Sequence, residues 1–130
     1  MKRKITNEKG QTMTEFAIVL PIFVVLLFGI IQFGIIFNNY VSLTDAARAA
    51  ARKGAVSRNS GDPAGDCRSQ GLAAAGDLDQ SKLKLNCFSS NGWMQGSDVE
   101  VDATYPYSIN LFGIPVSTGD LKTVMKERVE

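Results

Sequence analysis

Few residues of this chain have side chains that could do chemistry, and their types restrict what it can catalyse. The 130-residue sequence has no histidine and only two cysteines, Cys67 and Cys87. Histidine is the commonest general base and the commonest metal ligand, so neither a Ser-His-Asp nor a Cys-His site can form within this chain. Acidic residues are frequent, but none forms a carboxylate pair beside a nucleophile. We therefore expect no catalytic residues, no metal site and no cofactor.

The most conspicuous carboxylate belongs to Glu15, which directly precedes an almost unbroken apolar run at residues 16–37. The run is interrupted only by Pro21, Gly29, Gln32 and Gly34. As a helix, this segment would rise about 33 Å, close to the roughly 30 Å hydrocarbon core of a bilayer. A helix that is apolar on every face predicts a membrane span rather than a core helix in so small a protein. The run is too long for a secretory signal peptide and no small-residue cleavage site follows it, so we expect the span to be retained.

Basic residues precede the span at Lys2, Arg3, Lys4 and Lys9. By the positive-inside rule, they predict that the N-terminus is cytoplasmic and that residues after about 40 lie outside the membrane. The net charge of the whole chain is only +1, which gives no electrostatic reason to expect nucleic acid as a partner.

Glu15 has two interpretations. In the first, residues 12–15 form a capping box, with Thr12 as the N-cap and Glu15 at the N3 position. In the second, the chain is cut after Gly10, which creates an amine on Gln11. A carboxylate drawn into a bilayer seeks a partner, and Glu15 could pair with that amine on a neighbouring identical helix. Such a pair would set the register between the helices.

Beyond the span, the pattern predicts that the helix continues. Small and apolar residues recur there at three- and four-residue spacing, with basic residues flanking them. Ala46, Ala50 and Gly54 form a small-residue stripe that would let another backbone approach closely. Its partner could be a neighbouring helix in a filament or the outer domain of the same chain. Within the span, Pro21 removes a backbone hydrogen bond and is expected to kink or unwind the helix locally.

The rest of the chain, residues 57–130, predicts a small outer domain. After a Gly/Ser/Asp-rich break, Asp62 and Pro63 indicate the N-cap and first residue of a short second helix. Alternating residues at 82–87 and 99–107 indicate two antiparallel strands, joined by a turn near residues 91–92. That register would set Lys82 and Lys84 opposite Asp102 and Glu100. Residues 120–130 are expected to form a last strand, and Trp93 either folds back onto the sheet or forms an exposed contact.

Cys67 and Cys87 would both lie on the outer side of the membrane, a compartment that permits disulfides in bacteria. Each lies on the apolar face of its predicted element. A disulfide between them would join the second helix to the first strand, and two buried free thiols are the alternative.

The start of the span resembles a known processing signal. Gly10, the residues Gln-Thr-Met-Thr and then Glu15-Phe16 look like the G-x-x-x-x-E-[FY] junction of the class III signal peptides of type IV pilins. The continuation AIVLPIFVVLLFGIIQFGIIF and the later LTDAARAAARKGA resemble TadE-like pilins of tight-adherence (Tad/Flp) pili. The resemblance covers about residues 8 to 54.

The resemblance implies a structural pilin or minor pilin with no enzymatic activity, used for surface attachment. It also implies a prepilin peptidase that cuts between Gly10 and Gln11, an inner-membrane assembly platform, and other pilin subunits as partners. The protein would reside in the bacterial inner membrane and then in a cell-surface pilus. A single-pass protein that presents a small outer domain without polymerising is the alternative, and a membrane-tethered enzyme is a third.

The predicted fold class is α+β, with three parts along the chain. Residues 1–10 would form a cytoplasmic leader, and residues 11–56 a transmembrane helix that continues into the Ala-rich helix. Residues 57–130 would form a small antiparallel sheet domain with a short second helix.

Overall fold

The structure, a computed structural model, describes residues 8–130, so most of the predicted leader lies outside the described residues. Its elements, in chain order, are α1 (Glu8–Val56), α2 (Pro63–Ala74), β1 (Lys84–Ser89), β2 (Asp98–Leu111) and β3 (Ile114–Arg128). The strands form one antiparallel sheet in the order β1-β2-β3. The predicted α+β fold class is confirmed.

The chain divides into two compact units, residues 1–34 and residues 35–130, and α1 contributes to both. In the first unit, large apolar side chains lie on the surface, with Phe16 and Ile18 exposed by 64% and 65%. The helix is long and apolar enough to cross a membrane, and its most apolar 18-residue window is 0% buried within the chain. This apolar surface therefore needs lipid or other protein to cover it.

The start of α1 differs from the predicted capping box. Because α1 begins at Glu8, Thr12 lies inside the helix and is not its N-cap in the described chain. Helix formation is cooperative, so extending an existing helix by one turn costs far less than starting one. The helix also continues through Pro21 with no local unwinding there, while a bend at that residue stays a prediction.

The core of the second unit forms where α2 and one face of the sheet pack against α1. Its largest fully buried side chains are those of Leu43, Cys67, Val99 and Val101. Gly71 of α2 lies against α1: a Cβ there would be 2.9 Å from the Cβ of Ala50 and 2.8 Å from Leu85 Cδ1. The two helices can approach this closely because neither has a larger side chain at the contact.

Helix α2 begins as the sequence predicts. Asp62 is its N-cap, and its Oδ1 accepts a hydrogen bond of 2.9 Å from the backbone N–H of Gly65. Pro63 occupies the first turn, where no intrahelical N–H bond is lost. The Gly/Ser/Asp-rich segment therefore leads directly into α2, whose first turn is capped by Asp62.

A disulfide joins Cys67 of α2 to Cys87 of β1, with a Cα–Cα distance of 6.4 Å. The predicted bridge is therefore confirmed, and it links the second helix to the first strand. Cys67 is fully buried at the junction of both elements with α1.

The predicted register of β1 against β2 is wrong. It placed Lys82 and Lys84 opposite Asp102 and Glu100, whereas Lys84 lies opposite Thr104. The connection between the strands is a longer loop than the tight turn assumed near residues 91–92. The pairing therefore shifts by four residues along β2.

Glu100 forms its ion pair with the neighbouring strand β3 and not with β1. It lies opposite Lys126 of β3, with 3.0 Å between Glu100 Oε2 and Lys126 Nζ. The hydrogen bond to this carboxylate, together with its charge, raises the pKa of Lys126 above its usual value. This ion pair on the solvent face of the sheet therefore joins β2 to β3, whereas the predicted pairs would have joined β1 to β2.

The loop between β1 and β2 turns Trp93 back onto its own domain. The backbone of Gly92 and Trp93 is left-handed, with φ values of 68° and 63°. The backbone N–H of Trp93 donates a hydrogen bond to Ser89 Oγ at 2.9 Å. The partly buried indole ring packs on the core beside Gly54. Of the two predicted alternatives for Trp93, the one that folds back is confirmed.

The predicted last strand is confirmed as the second half of β3, which begins earlier than expected, at Ile114. A two-residue turn joins β2 to β3 through Phe112 and Gly113, both with positive φ, of 49° and 86°. Such turns match the right-handed twist of paired strands. Together, β2 and β3 form a long hairpin.

We predict that Gly71→Val lowers the free energy of unfolding of the second unit by about 1–3 kcal/mol, because the added methyl groups overpack the contact with Ala50. Urea unfolding of the full chain in detergent, followed by the emission of the single tryptophan, measures this change. Gln70→Val is the control, because Gln70 is exposed on the same helix and tests β-branching alone. Equal effects of the two substitutions would contradict close packing at Gly71.

We predict that Cys67→Ser and Cys87→Ser each lower the free energy of unfolding by about 3 kcal/mol, the chain-entropy value for a loop of this length. The double variant should cost no more than either single one, because all three lose the same bond. Unfolding followed as above, with and without reductant, provides the measurement. A single variant as stable as the unsubstituted chain would argue against a stabilising bridge.

Candidate processing and assembly site

The predicted cleavage site lies within the first turns of α1. Gly10 and Gln11 are both helical, and Gln11 is exposed. The Thr14 Oγ1 hydroxyl donates a 2.9 Å hydrogen bond to the carbonyl oxygen of Gly10. The peptide bond that a peptidase would cut is therefore held in a helical segment in the uncut chain.

Glu15 lies one turn after Gln11, on the same side of the helix. The side-chain amide of Gln11 donates a 3.1 Å hydrogen bond to Glu15 Oε1, and both residues are exposed. Pairs at this spacing stabilise a helix by a few tenths of a kcal/mol. Because the bond uses the side chain of Gln11 and not its backbone nitrogen, a cut after Gly10 would leave both of its partners in place.

Glu15 precedes a surface that none of the described residues covers. Side chains 11–22 are all exposed, and most of them are apolar. Two glycines of the span, Gly29 and Gly34, have no atom within 4 Å of an added Cβ. The carboxylate and these open positions are thus all available to molecules other than this chain.

The small-residue stripe of α1 is occupied by the chain itself. Ala46 and Ala50 are completely buried in the core of the second unit. A Cβ at Gly54 would lie 3.0 Å from both the Trp93 ring and Val99 Cγ1. Of the two partners predicted for the stripe, the structure has the chain's own α2 and sheet, so this face is not available to a second helix.

The opposite face of the same helical segment is open to solvent. Tyr40 and Val41 expose 42% and 43% of their surface. Asp45 and Arg48 follow them, with a 3.9 Å ion pair between side chains that are about three-fifths exposed. Exposed pairs of this kind contribute little to stability. The face therefore combines an aromatic and an aliphatic side chain with charges that could contact another molecule.

The described residues do not assemble a metal centre. Among them, no group of three or more His, Cys, Asp or Glu side chains could hold a metal ion. Both cysteines are already joined in the disulfide. The features that point to function are thus those of the helix and its junction.

The sequence reasoning missed the contact between Gly54 and Trp93 and the long β2–β3 hairpin. A signal for the hairpin is present in Phe112-Gly113, since glycine at a two-residue turn between alternating apolar residues is typical of a β-hairpin. Nothing in the sequence pairs Gly54 with Trp93, because they lie far apart along the chain.

The family model described as "TadE-like protein" matches residues 10–52. The match begins at the glycine of the junction and ends on α1, and it includes Glu15, Pro21 and most of the small-residue stripe. The resemblance recognised in the sequence is thus confirmed over this range, while the sheet and α2 lie outside it. Neither a curated protein nor a solved structure shows significant similarity to the chain.

Proposed function

We propose that this TadE-like protein is a structural pilin or minor pilin of a tight-adherence pilus. The observation that carries the proposal is the position of the family match, which starts at Gly10 and covers the exposed apolar part of α1. The match to the family model supports a membrane helix and an association with a Tad-type pilus. That the chain is itself a subunit of the filament is our proposal.

In this proposal, the same helix acts in two successive environments. Before assembly, the apolar surface of residues 16–37 lies in lipid and anchors the protein. During assembly, it exchanges lipid for the helices of other pilin subunits. Lipid tails and apolar side chains are similarly apolar, so the exchange depends on packing and polar pairs more than on the hydrophobic effect. Gly29 and Gly34 offer positions at which another helix can approach closely.

Glu15 supplies the polar pair in this account. After cleavage by a prepilin peptidase, the amine of Gln11 in one subunit meets the carboxylate of Glu15 in the next. The pair fixes how far one helix slides along its neighbour, because any other register leaves two charges without partners in an apolar surrounding. The exposure of Glu15 in the described chain supports this role.

The basic residues before Gly10 favour an N-terminus in the cytoplasm and an outer domain beyond the inner membrane. The disulfide fits this orientation, since the bacterial periplasm is oxidising. An inner-membrane platform would extract the subunit, and a surface pilus used for attachment would be its destination.

The alternative is a single-pass protein that presents its outer domain and never polymerises. The two proposals differ in the fate of the leader and in where the protein is found. Mass spectrometry of a sheared filament fraction distinguishes them, because only a pilin would appear there, with Gln11 as its first residue.

We predict that Gly10→Val leaves the leader attached, because a branched side chain at the cleaved bond obstructs the peptidase. The intact mass of the membrane-bound protein reports whether residues 1–10 remain. Gly29→Val is the matched control, since it places the same side chain at an open position of the same helix, away from the junction. Filament protein that begins at Met1, or normal cutting of Gly10→Val, would contradict processing at this site.

We predict that Glu15→Gln is inserted and cut normally but enters filaments poorly. The substituted amide can still accept the hydrogen bond from Gln11, so the change removes the charge and little else. Losing one member of a buried charge pair costs roughly 3–5 kcal/mol because its partner stays unpaired. The measurement is the ratio of variant to unsubstituted protein in sheared filaments, normalised to the processed pool in the membrane.

Glu15→Asp is the control for this experiment, because it keeps the carboxylate. We expect it to restore part of the incorporation that Glu15→Gln loses. A ratio near one for Glu15→Gln would mean that the charge at residue 15 does not set the register.

A further inference from the structure

The far end of the β2–β3 hairpin extends beyond the three-stranded part of the sheet. Pairing between β1 and β2 ends where Lys84 meets Thr104, whereas β2 and β3 remain paired as far as Leu111 and Ile114. Residues 105–121 therefore form a two-stranded ribbon. Isolated two-stranded ribbons are marginally stable in water, so one of this length favours a surface that supports it.

The ribbon has one charged residue, Asp120 at its base, and its tip is apolar. Residues 103–119 contain no charged side chain, although 21% of the chain's residues are charged. At the tip, Phe112, Ile114 and Val116 expose 66%, 68% and 63% of their surface. Farther from the tip, the ring of Tyr107 lies over Gly119, where an added Cβ would be 2.8 Å from Tyr107 Cε1. We call residues 109–116 the hairpin tip.

The direction of the strands shows which end of the second unit carries the hairpin tip. Val99, at the start of β2, packs beside Gly54, near the C-terminal end of α1. Farther along β2, Ala103 pairs with Leu85, which packs between α2 and α1 near Ala50. Thus β2 runs antiparallel to α1, and the hairpin tip lies toward the end of the unit at which α1 enters it, at residue 35.

The ribbon extends well beyond Tyr105, the last residue of β2 that packs on the core. From Tyr105, which packs on the core, to Leu111 the strand advances about 20 Å. From buried Leu43 back to Phe37, where the apolar run ends, α1 advances about 9 Å. The part of the ribbon beyond Tyr105 is thus about twice as long as the stretch of helix between Leu43 and the end of the apolar run.

We propose that the hairpin tip inserts into the lipid interface on the outer side of the membrane. Its exposed apolar side chains are suited to the boundary between headgroups and acyl chains, and Tyr107 is of the type enriched at that depth. Ser108, Asn110 and Ser117 lie between the apolar residues and keep the ribbon out of the hydrocarbon, where open strand edges do not occur.

Lipid fits the hairpin tip better than a protein partner does, for two reasons. The tip has no charged residue with which to select a partner or fix its orientation. It also lies at the end of the unit from which the chain continues into the apolar run, so the tether holds it near lipid continuously. The proposal depends on membrane anchoring but not on assembly into a filament.

The test uses the full chain in vesicles of phosphatidylethanolamine and phosphatidylglycerol, diluted so that each vesicle holds at most one copy. Ile114→Cys is labelled with an environment-sensitive fluorophore, and Val116→Cys is a second probe of the tip. Val124→Cys is the control, since Val124 is 52% exposed on the same strand beside the three-stranded part of the sheet. The native cysteines are joined in the disulfide and do not take the label.

Insertion predicts blue-shifted emission at both tip probes and its loss when the vesicles contain lipids with a quencher near the headgroup. The Val124→Cys probe should keep the emission of a label in water. Water-like, unquenched emission at the tip would overturn the proposal, as would equal quenching at residue 124. A blue shift that appears only at high protein density, without quenching by lipid, would assign the tip to a second copy of the chain instead.

Discussion

The close contact of α1 with α2 and the sheet is the constraint on which the rest of the second unit depends. Gly71 of α2 meets Ala50, and the Trp93 ring meets Gly54, at distances that leave no room for another methyl group. The residue types on this face of α1 are therefore set by the chain's own domain. The most apolar window of the same helix is not buried by the described residues, and its apolar character reflects what surrounds the protein.

Packing on small side chains has a consequence for stability. An alanine buries little apolar area, so a helix face made of alanines contributes less hydrophobic free energy than one made of leucines. The core compensates with a few larger side chains, Leu43, Val99 and Val101, which are fully buried. The Cys67–Cys87 disulfide adds a covalent restraint to a domain that is small for a single hydrophobic core.

The sequence predicts the features that depend on local patterns and fails where distant residues decide. The span, the capped start of α2 at Asp62 and the alternation of β2 follow from composition, capping and period. The register of β1 against β2 depends on an eight-residue connection whose path is fixed by Trp93 packing on α1, and no local signal reports that contact. For the candidate site, the sequence motif at Gly10 was enough to indicate the family whose model matches from that residue. The sequence did not indicate which of its two possible partners covers the small-residue stripe.

Because α2 and the sheet cover the small-residue stripe, this face of α1 would not be available for packing in an assembly of such helices. A neighbour that packed on Ala46 and Ala50 would have to displace α2 and the sheet, at the cost of the core. In the proposed filament, contacts between subunits along the second part of α1 would therefore fall to the opposite face, with Tyr40 and the Asp45–Arg48 pair. Close approach of helix backbones would be left to Gly29 and Gly34, where the described residues leave space around an added Cβ. The part of α1 that binds its own domain and the part that can pack tightly against other helices are thus different lengths of one continuous helix.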